Sequence, residues 1–502
     1  MDPGVEGHER GSLDAARKTK GQDLDHLGTV AVAAETPSTR RCRTAYGRRM
    51  DDWWLPALAG VFDGKRVVLA GDVPAAWTEH IGLLQAAGAT ELMVVATSGH
   101  GPGVAPDLPT VVVEPPDGLS FLQRIHFGIG TLADPPPHVL GALERFDPHN
   151  EALVVGTFLN SAADLGGRPF LAHRRPEWVA LEDKVVVDDF WDRAGVDRAP
   201  SIIVDLADAV HAASTIDRGS GTVWAADARD GFTGGASGIR WVTDAATRRR
   251  AAQDLDPICD RVRVMPFLDG IPCSIHGIVL PDGVVVLRPV EMVTLRRGND
   301  LVYAGCATFW DPPVAVRNQM RHIARLTGEQ LAHEVDFRGT FTVDGVVTRH
   351  GFLPTELNPR FGAGINTIAR ASELPILLLN DVIVAGHSIG LSASELERRL
   401  VDAADAHRGG GTWISDVTVT SNLAADPVVV DEVGEFRRTR DGEQPTGLVV
   451  AGGNHARCRY VPGAVPLGPS TAPLAASFWR FADRELGTSL GMLTPAPDHR
   501  ER

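Results

Sequence analysis

The run Pro354-Thr355-Glu356-Leu357-Asn358-Pro359-Arg360-Phe361-Gly362 concentrates side chains that could do chemistry. On a strand, Glu356 and Asn358 stand two residues apart and face the same side. Asp344 lies twelve residues before Glu356 and is followed by Gly345, a turn signal. A hairpin of Gly339–Val343 and Gly351–Leu357, turning from Asp344-Gly345, would bring Asp344 beside Glu356 and Asn358. Three oxygen-bearing side chains converging at one point suit Mg2+, which also keeps waters and nucleotide phosphates as ligands. Arg360, just past the strand, is placed to offer a fixed cation to phosphate oxygens. Each residue alone reads as a polar strand end before a proline turn; only the combination speaks for a metal.

Together these residues resemble the magnesium-binding hairpin of the ATP-grasp superfamily, in which an acidic residue precedes a Glu-x-Asn-Pro-Arg strand. The resemblance implies ATP and Mg2+ as cofactors, with Asp344, Glu356 and Asn358 as metal ligands. It also implies a phosphate-contacting lysine ahead of a helix. Leu181-Glu182-Asp183-Lys184 precedes a helix expected over Val185–Ala194, and lysine otherwise occurs only at Lys18, Lys20 and Lys65 among 49 basic residues. Lys184 therefore takes the phosphate role, against the plain alternative of a surface lysine. Next in the family order comes a glycine-rich lid. Gly231 to Gly238 fits it, and Gly234, Gly235 and Gly238 would let backbone N–H groups approach phosphates closely. Backbone groups of Met265 and Phe267 are expected at the adenine edge. Arg288, in Leu287-Arg288-Pro289-Val290-Glu291, is expected to bind phosphate and, with Arg360, to act in catalysis. Two departures stand out. The strand before the glycine loop, Val223-Trp224-Ala225-Ala226-Asp227, has no second lysine: either Arg229 or Arg240 substitutes, or the pocket does without it. Pro272 stands where a ribose-binding acid is expected, with Asp269 the nearest candidate.

The elements that must position these residues follow from hydrophobic patterning. The expectation is α/β and α+β: an N-terminal doubly wound parallel sheet, a two-lobed ATP-grasp core and a C-terminal β-rich segment. Apolar runs at Lys65–Gly71, Leu92–Ala96, Thr110–Val113 and Ala152–Gly156 alternate with helical stretches, as a parallel sheet requires. From Leu181 onward the pattern becomes antiparallel, with a strand pair at Val262–Phe267 and Ile275–Leu280, a helix near Val314–Leu326 and a final helix near Pro473–Leu486. The boundaries read as a disordered tail over 1–50, an α/β domain over 51–180, the core over 181–400 and the β-rich segment over 401–502. This layout, the Asp227–Gly235 region, the Leu-Arg-Pro-Val-Glu strand and Gly447–Gly453 look like the pheganomycin-type peptide ligases. That likeness implies amide-bond formation through an acyl phosphate, joining an amino acid to an amino acid or peptide in natural-product biosynthesis, with ADP as product. An ATP-grasp carboxylase or purine-type ligase, or a nucleotide binder without turnover, are the other readings.

Composition bounds the partners. A net charge of -15 with no concentrated basic stripe speaks against nucleic acid. No apolar run nears the roughly 20 residues that span a bilayer, so no membrane association is expected. The five cysteines are scattered, with no Cys-x-x-Cys pair, and Met1 to Met50 has no apolar core of a signal peptide; a cytoplasmic protein is expected. The implied partners are a small-molecule carboxylate and an amine or peptide, with a homodimer as a further expectation. No His-Glu-x-x-His is present to support a metal-dependent hydrolase.

Overall fold

Short β-branched runs build the first sheet of the computed structural model, which describes residues 53–99, 106–229, 236, 238–452 and 455–495. Strands β1 (Arg66–Ala70), β2 (Glu91–Ala96), β3 (Thr110–Val112) and β4 (Leu153–Gly156) pair in parallel in the order β3-β2-β1-β4. Val67, Val68, Leu69 and Ala70 are all fully buried, because helices cover both faces of β1. Gly71 ends β1 at φ +101°, and a Cβ there would meet Thr157 at 2.8 Å, so the turn has room only for glycine. A small hairpin, β5 (Asp164–Leu165) with β6 (Arg168–Pro169), follows.

A second, four-stranded antiparallel sheet forms the smaller lobe of the core. Its strands are β7 (Ile202–Asp205), β8 (Thr222–Ala226), β9 (Ile239–Val242) and β10 (Arg261–Pro266), in the order β7-β10-β8-β9. Helices Ala209–Ile216 and Ala245–Leu255 bury small apolar residues against it. The second of these starts with a capping box, in which Asp244 accepts from the backbone of Thr247 and Thr247 accepts from that of Asp244.

The third sheet holds twelve strands: β11 (Gly270–Leu280), β12 (Gly283–Val286), β13 (Val290–Arg297), β14 (Asp300–Ala307), β15 (Gly339–Thr348), β16 (Gly351–Asn358), β17 (Gly410–Ser415), β18 (Leu423–Val430), β19 (Phe436–Arg438), β20 (Gly447–Gly452), β21 (His455–Tyr460) and β22 (Thr494–Pro495). Ten run in the order β16-β15-β11-β13-β14-β17-β21-β20-β18-β19, with β12 on β11 and β22 on β13. Strands on both sides of residue 400 thus belong to one sheet. Helix Val314–Val335 packs on one face near β11 and β12, helix Ala363–Ala371 on the other, and helix Ala472–Glu485 covers the C-terminal strands. No helix among the described residues is long and apolar enough to cross a membrane.

Two local expectations change. Val262–Phe267 and Ile275–Leu280 do not pair; β10 belongs to the small lobe and β11 to the large sheet. The hairpin does not turn at Asp344-Gly345 either. Val346 and Val347 carry β15 on to Thr348, and the chain reverses at Arg349-His350, where Gly351 takes φ +107°.

Candidate functional site

Lengthening the hairpin moves Asp344 from a strand end to mid-strand, at a β-bulge that lies between it and Gly345. Asp344 is in register with Glu356 on one side and with Ser274 of β11 on the other. One step along the same face, Thr342 is in register with Asn358 and with His276. Like charges set directly across a strand pair repel, so the Asp344–Glu356 pair requires compensation. Lys184, 6% exposed, supplies part of it with Nζ 3.4 Å from Glu356 Oε1. Ser274 donates its hydroxyl to Asp344, and Asn358 Nδ2 donates to Asp344 Oδ2 at 2.9 Å. The compensation is incomplete. Desolvation and then the Glu356 charge push the Asp344 carboxyl up to about 7, although Ser274, Arg360 and Lys184 pull it down.

Arg360 extends the network outward. Its Nη2 donates to Asn358 Oδ1 at 2.8 Å, and its Nε donates to Glu182 Oε1 at 2.8 Å. Glu182 also accepts from Arg174. The segment Leu181–Lys184 therefore delivers Glu182 to Arg360 and Lys184 to Glu356. Its position is fixed by helix Val187–Ala194, which buries Phe190 and Trp191 and ends at Gly195 in the left-handed conformation. Arg263 of β10, fully buried, ties that helix to the hairpin. It donates from Nε to Asp188 Oδ2 at 3.0 Å and from Nη1 to the Thr355 carbonyl at 2.7 Å.

This donor set fits a divalent cation bound through protein oxygens and a nucleotide's phosphates. Two opposed carboxylates, one held away from its ordinary ionisation, are what a cation would neutralise. No group of three or more His, Cys, Asp and Glu stands together among the described residues, so this is not an all-protein cage. Asn358 turns its amide nitrogen toward Asp344, and its oxygen joins a cation only after the amide rotates by half a turn.

The structure thus gathers Lys184, Asp344, Glu356, Asn358 and Arg360. Arg288 is placed otherwise than expected. It lies between β12 and β13, is 2% exposed, and spends its guanidinium on Asp405 Oδ1 and Asp311 Oδ1, each at 2.6 Å, and on the carbonyls of Pro289 and Trp310. Its donors are turned to these partners and away from the Asp344–Glu356 pair's network. Glu291 is likewise structural, accepting from Ser470 and from both the amide and the hydroxyl of Thr471 at the start of helix Ala472–Glu485. At the adenine edge, the Phe267 amide donates to the Gly221 carbonyl at 2.9 Å, so that N–H serves the sheet. Met265 is paired with Val223 within the same sheet. The Phe267 ring stacks on Trp241, centroids 4.3 Å apart. Asp269 is exposed on the link between the two sheets. Gly234 and Gly235 lie outside the described residues; Gly238 accepts the Ala226 amide at its carbonyl.

Sequence reasoning passed over Glu182, Arg174, Ser274, His276 and Arg263. Arg263 carried a visible signal, a cation inside the apolar strand Val262–Pro266. Glu182 carried a weaker one, two residues before the informative lysine. His276 is buried against Gly364, with Nδ1 2.9 Å from the Thr342 hydroxyl, and burial lowers its pKa to about 3.

No family model matches the chain, and no curated protein matches it. Solved structures do. An N5-carboxyaminoimidazole ribonucleotide synthetase in complex with ADP aligns over 84% of this chain and 98% of its own, with 12% identity and a TM-score of 0.50. The biotin carboxylase domain of 2-oxoglutarate carboxylase from Hydrogenobacter thermophilus covers 84% and 90%, at 12% identity and TM-score 0.50. An L-amino acid ligase from Bacillus licheniformis covers 84% and 98%, at 13% identity and TM-score 0.48. The first two of these alignments show the fold: the chain has the ATP-grasp fold.

Proposed function

We propose that the protein is an ATP-dependent carboxylate–amine ligase that joins an amino acid to an amino acid or peptide through an acyl phosphate, in the making of a natural-product peptide. The observation that carries this reading is the opposed pair Asp344–Glu356, flanked by Lys184 on one side and by Asn358 and Arg360 on the other. Mg2+ held by Asp344, Glu356 and Asn358 would neutralise charge on the nucleotide's phosphates. Transfer of a phosphoryl group to a carboxylate needs charge neutralisation and alignment more than covalent help from the protein. The substrate carboxylate oxygen bonds to the γ-phosphorus as the bond to the β-phosphate oxygen breaks, releasing ADP. The amine nitrogen then bonds to the acyl carbon, inorganic phosphate leaves, and one amine proton passes to solvent. In these steps Lys184 and Arg360 act as fixed cations on either side of the carboxylate pair. Their mutual tethers, Glu356 and Glu182, hold them ready and shift as phosphate arrives.

The test is turnover with Mg2+, ATP and a pooled set of amino acids and short peptides, reading phosphate and new masses together. Expected are ADP, phosphate and a product lighter by one water than its parts, with a loss of about 100-fold or more in Glu356→Gln. Formation of AMP and pyrophosphate would overturn the acyl-phosphate route. ATP binding with no product from any pair would favour a binder without turnover.

A further inference from the structure

The sheet that carries the Asp344–Glu356 pair continues past it into β17, β21 and β20. Gly411, Trp413 and Ser415 of β17 lie in register with Arg459, Arg457 and His455 of β21, and these with Leu448, Val450 and Gly452 of β20. Alternation puts that set on one face. Val449, Ala451, Cys458 and Tyr460 take the other face and are buried with helix Ala472–Glu485. The first face is continuous with the candidate site. Cys306, in register with Gly411, touches Thr367 of helix Ala363–Ala371, Sγ to Oγ1 3.3 Å. The start of that same helix rests on His276, two residues along β11 from the Asp344 neighbour Ser274.

Arg370 lies three residues beyond Thr367 on this helix and is exposed, as are Arg457 and Arg459. Burial first, and then the charges of Arg370 and Arg459, pull the Arg457 guanidinium below its ordinary range. None of the three has a hydrogen-bond or ion-pair partner among the described residues. In a chain of net charge -15, arginines without a carboxylate, two of them neighbours on one face of β21, are an arrangement that an incoming anion would complete.

We infer that Arg370, Arg457 and Arg459 receive the anionic end of a substrate whose other end reacts beside Asp344 and Glu356, and that this substrate is a peptide with a free terminal carboxylate. The inference rests on the ligase reading and deepens it. Its physical basis is span. Arg370 is seven residues past the helix start at Ala363, about 10 Å along the axis. Along the sheet, β21 lies five strand steps from β15, at most about 24 Å. An extended chain covers roughly 3.3–3.6 Å per residue, so a single amino acid falls short and about three to seven residues fit. Between the two ends lie Trp413 and Tyr303, in edge contact at 5.8 Å, an aromatic floor for peptide side chains. On the N-terminal side, Arg124 of helix Phe121–Ala133 reaches Asp416 at 2.9 Å, and that helix leaves Leu122, Ile125, Phe127 and Ile129 half-buried.

The experiment uses the full chain, Mg·ATP and pooled tri- to hexapeptides in two forms, free acids and C-terminal amides. Binding is read as a melting-temperature shift, so it does not depend on turnover. Wild type should be shifted by the acids and much less by the amides, and Arg457→Gln/Arg459→Gln should lose the difference. Without peptide, the double variant should melt no lower than wild type, since two repelling charges are gone. A melting point several degrees lower would make the arginines structural and overturn the inference. Equal shifts by acids and amides would also overturn it, and product formation in the same tubes would then leave the ligase reading standing.

Discussion

Arg360 and Arg288 sit in networks built from the same kinds of side chain, and the carboxylates in the two are arranged differently. Around Arg288 the charges match: Asp311 and Asp405 face Arg288 and Arg408, with the carbonyls of Trp310, Thr308 and Pro289 taking further donors. Burial works to raise the Asp311 carboxyl, but hydrogen bonds from Arg408 and Arg288 outweigh it and hold the group below the ordinary range. Around Arg360 the two carboxylates of Asp344 and Glu356 face each other, and the same kinds of cations fail to bring Asp344 down. A closed network holds the fold and has nothing left for a ligand. One in which two buried carboxylates face each other, with its groups already aligned, is arranged to take up a cation and phosphate.

Three measurements would break or sharpen this contrast. Arg360→Gln should lower turnover by about 100-fold, because a cation aimed at the reacting phosphate is lost. Its melting temperature should change little, since Glu182 keeps Arg174. Arg288→Gln should do the reverse. Losing the buried member of a charge-paired cluster should cost about 2–3 kcal/mol of stability, read by chemical denaturation, while activity per folded molecule is kept. If the two variants exchanged these phenotypes, the contrast would be mistaken. The smallest effect concerns pH. Because the folded protein raises the Asp344 pKa, the ionised form destabilises it: the group's contribution is fully present below its unfolded value near 3.8 and is lost as pH rises through about 7. In chelator, Asp344→Asn should therefore gain stability over wild type across that window, on the order of 1 kcal/mol. Asp311, shifted downward, should behave oppositely, with Asp311→Asn least favourable at neutral pH. A flat difference for Asp344→Asn between pH 4 and 8 would remove the imbalance from the account.

Much of this was legible in the residues. Glu356 and Asn358 share a face because they are two apart on a strand, and the scarcity of lysine made Lys184 informative. The four parallel strands followed from their β-branched runs. What could not be read were partners supplied from far along the chain. Nothing local to Leu287–Glu291 reveals that Asp405 and Asp311 will meet Arg288, or that Ser470 and Thr471 will meet Glu291. The hairpin turn was misplaced because Asp344-Gly345 is a turn signal by type. In the fold Gly345 instead packs its bare Cα against Leu353 and Phe352 of the partner strand, where a Cβ would come within 2.4 Å of backbone. Glycine there serves the close approach and not a reversal.

Arg263 gives the small lobe a fulcrum. It is the buried point at which β10 is pinned both to helix Val187–Ala194 and to the hairpin at Thr355. A tilt of the small lobe that keeps this pin would swing about it and part the contacts of the outer strand, where Asn299 donates to Thr243 at 2.9 Å and Arg296 lies over the Trp241 ring. The arm is shortest at Lys184 and the carboxylate pair, next to the pin, and longest at β9, two strands or roughly 10 Å out from β10. Trp241, on that outer strand, would travel while Lys184, Asp344 and Glu356 keep their alignment. Such a swing would open the lobe without dismantling the Asp344–Glu356 pair.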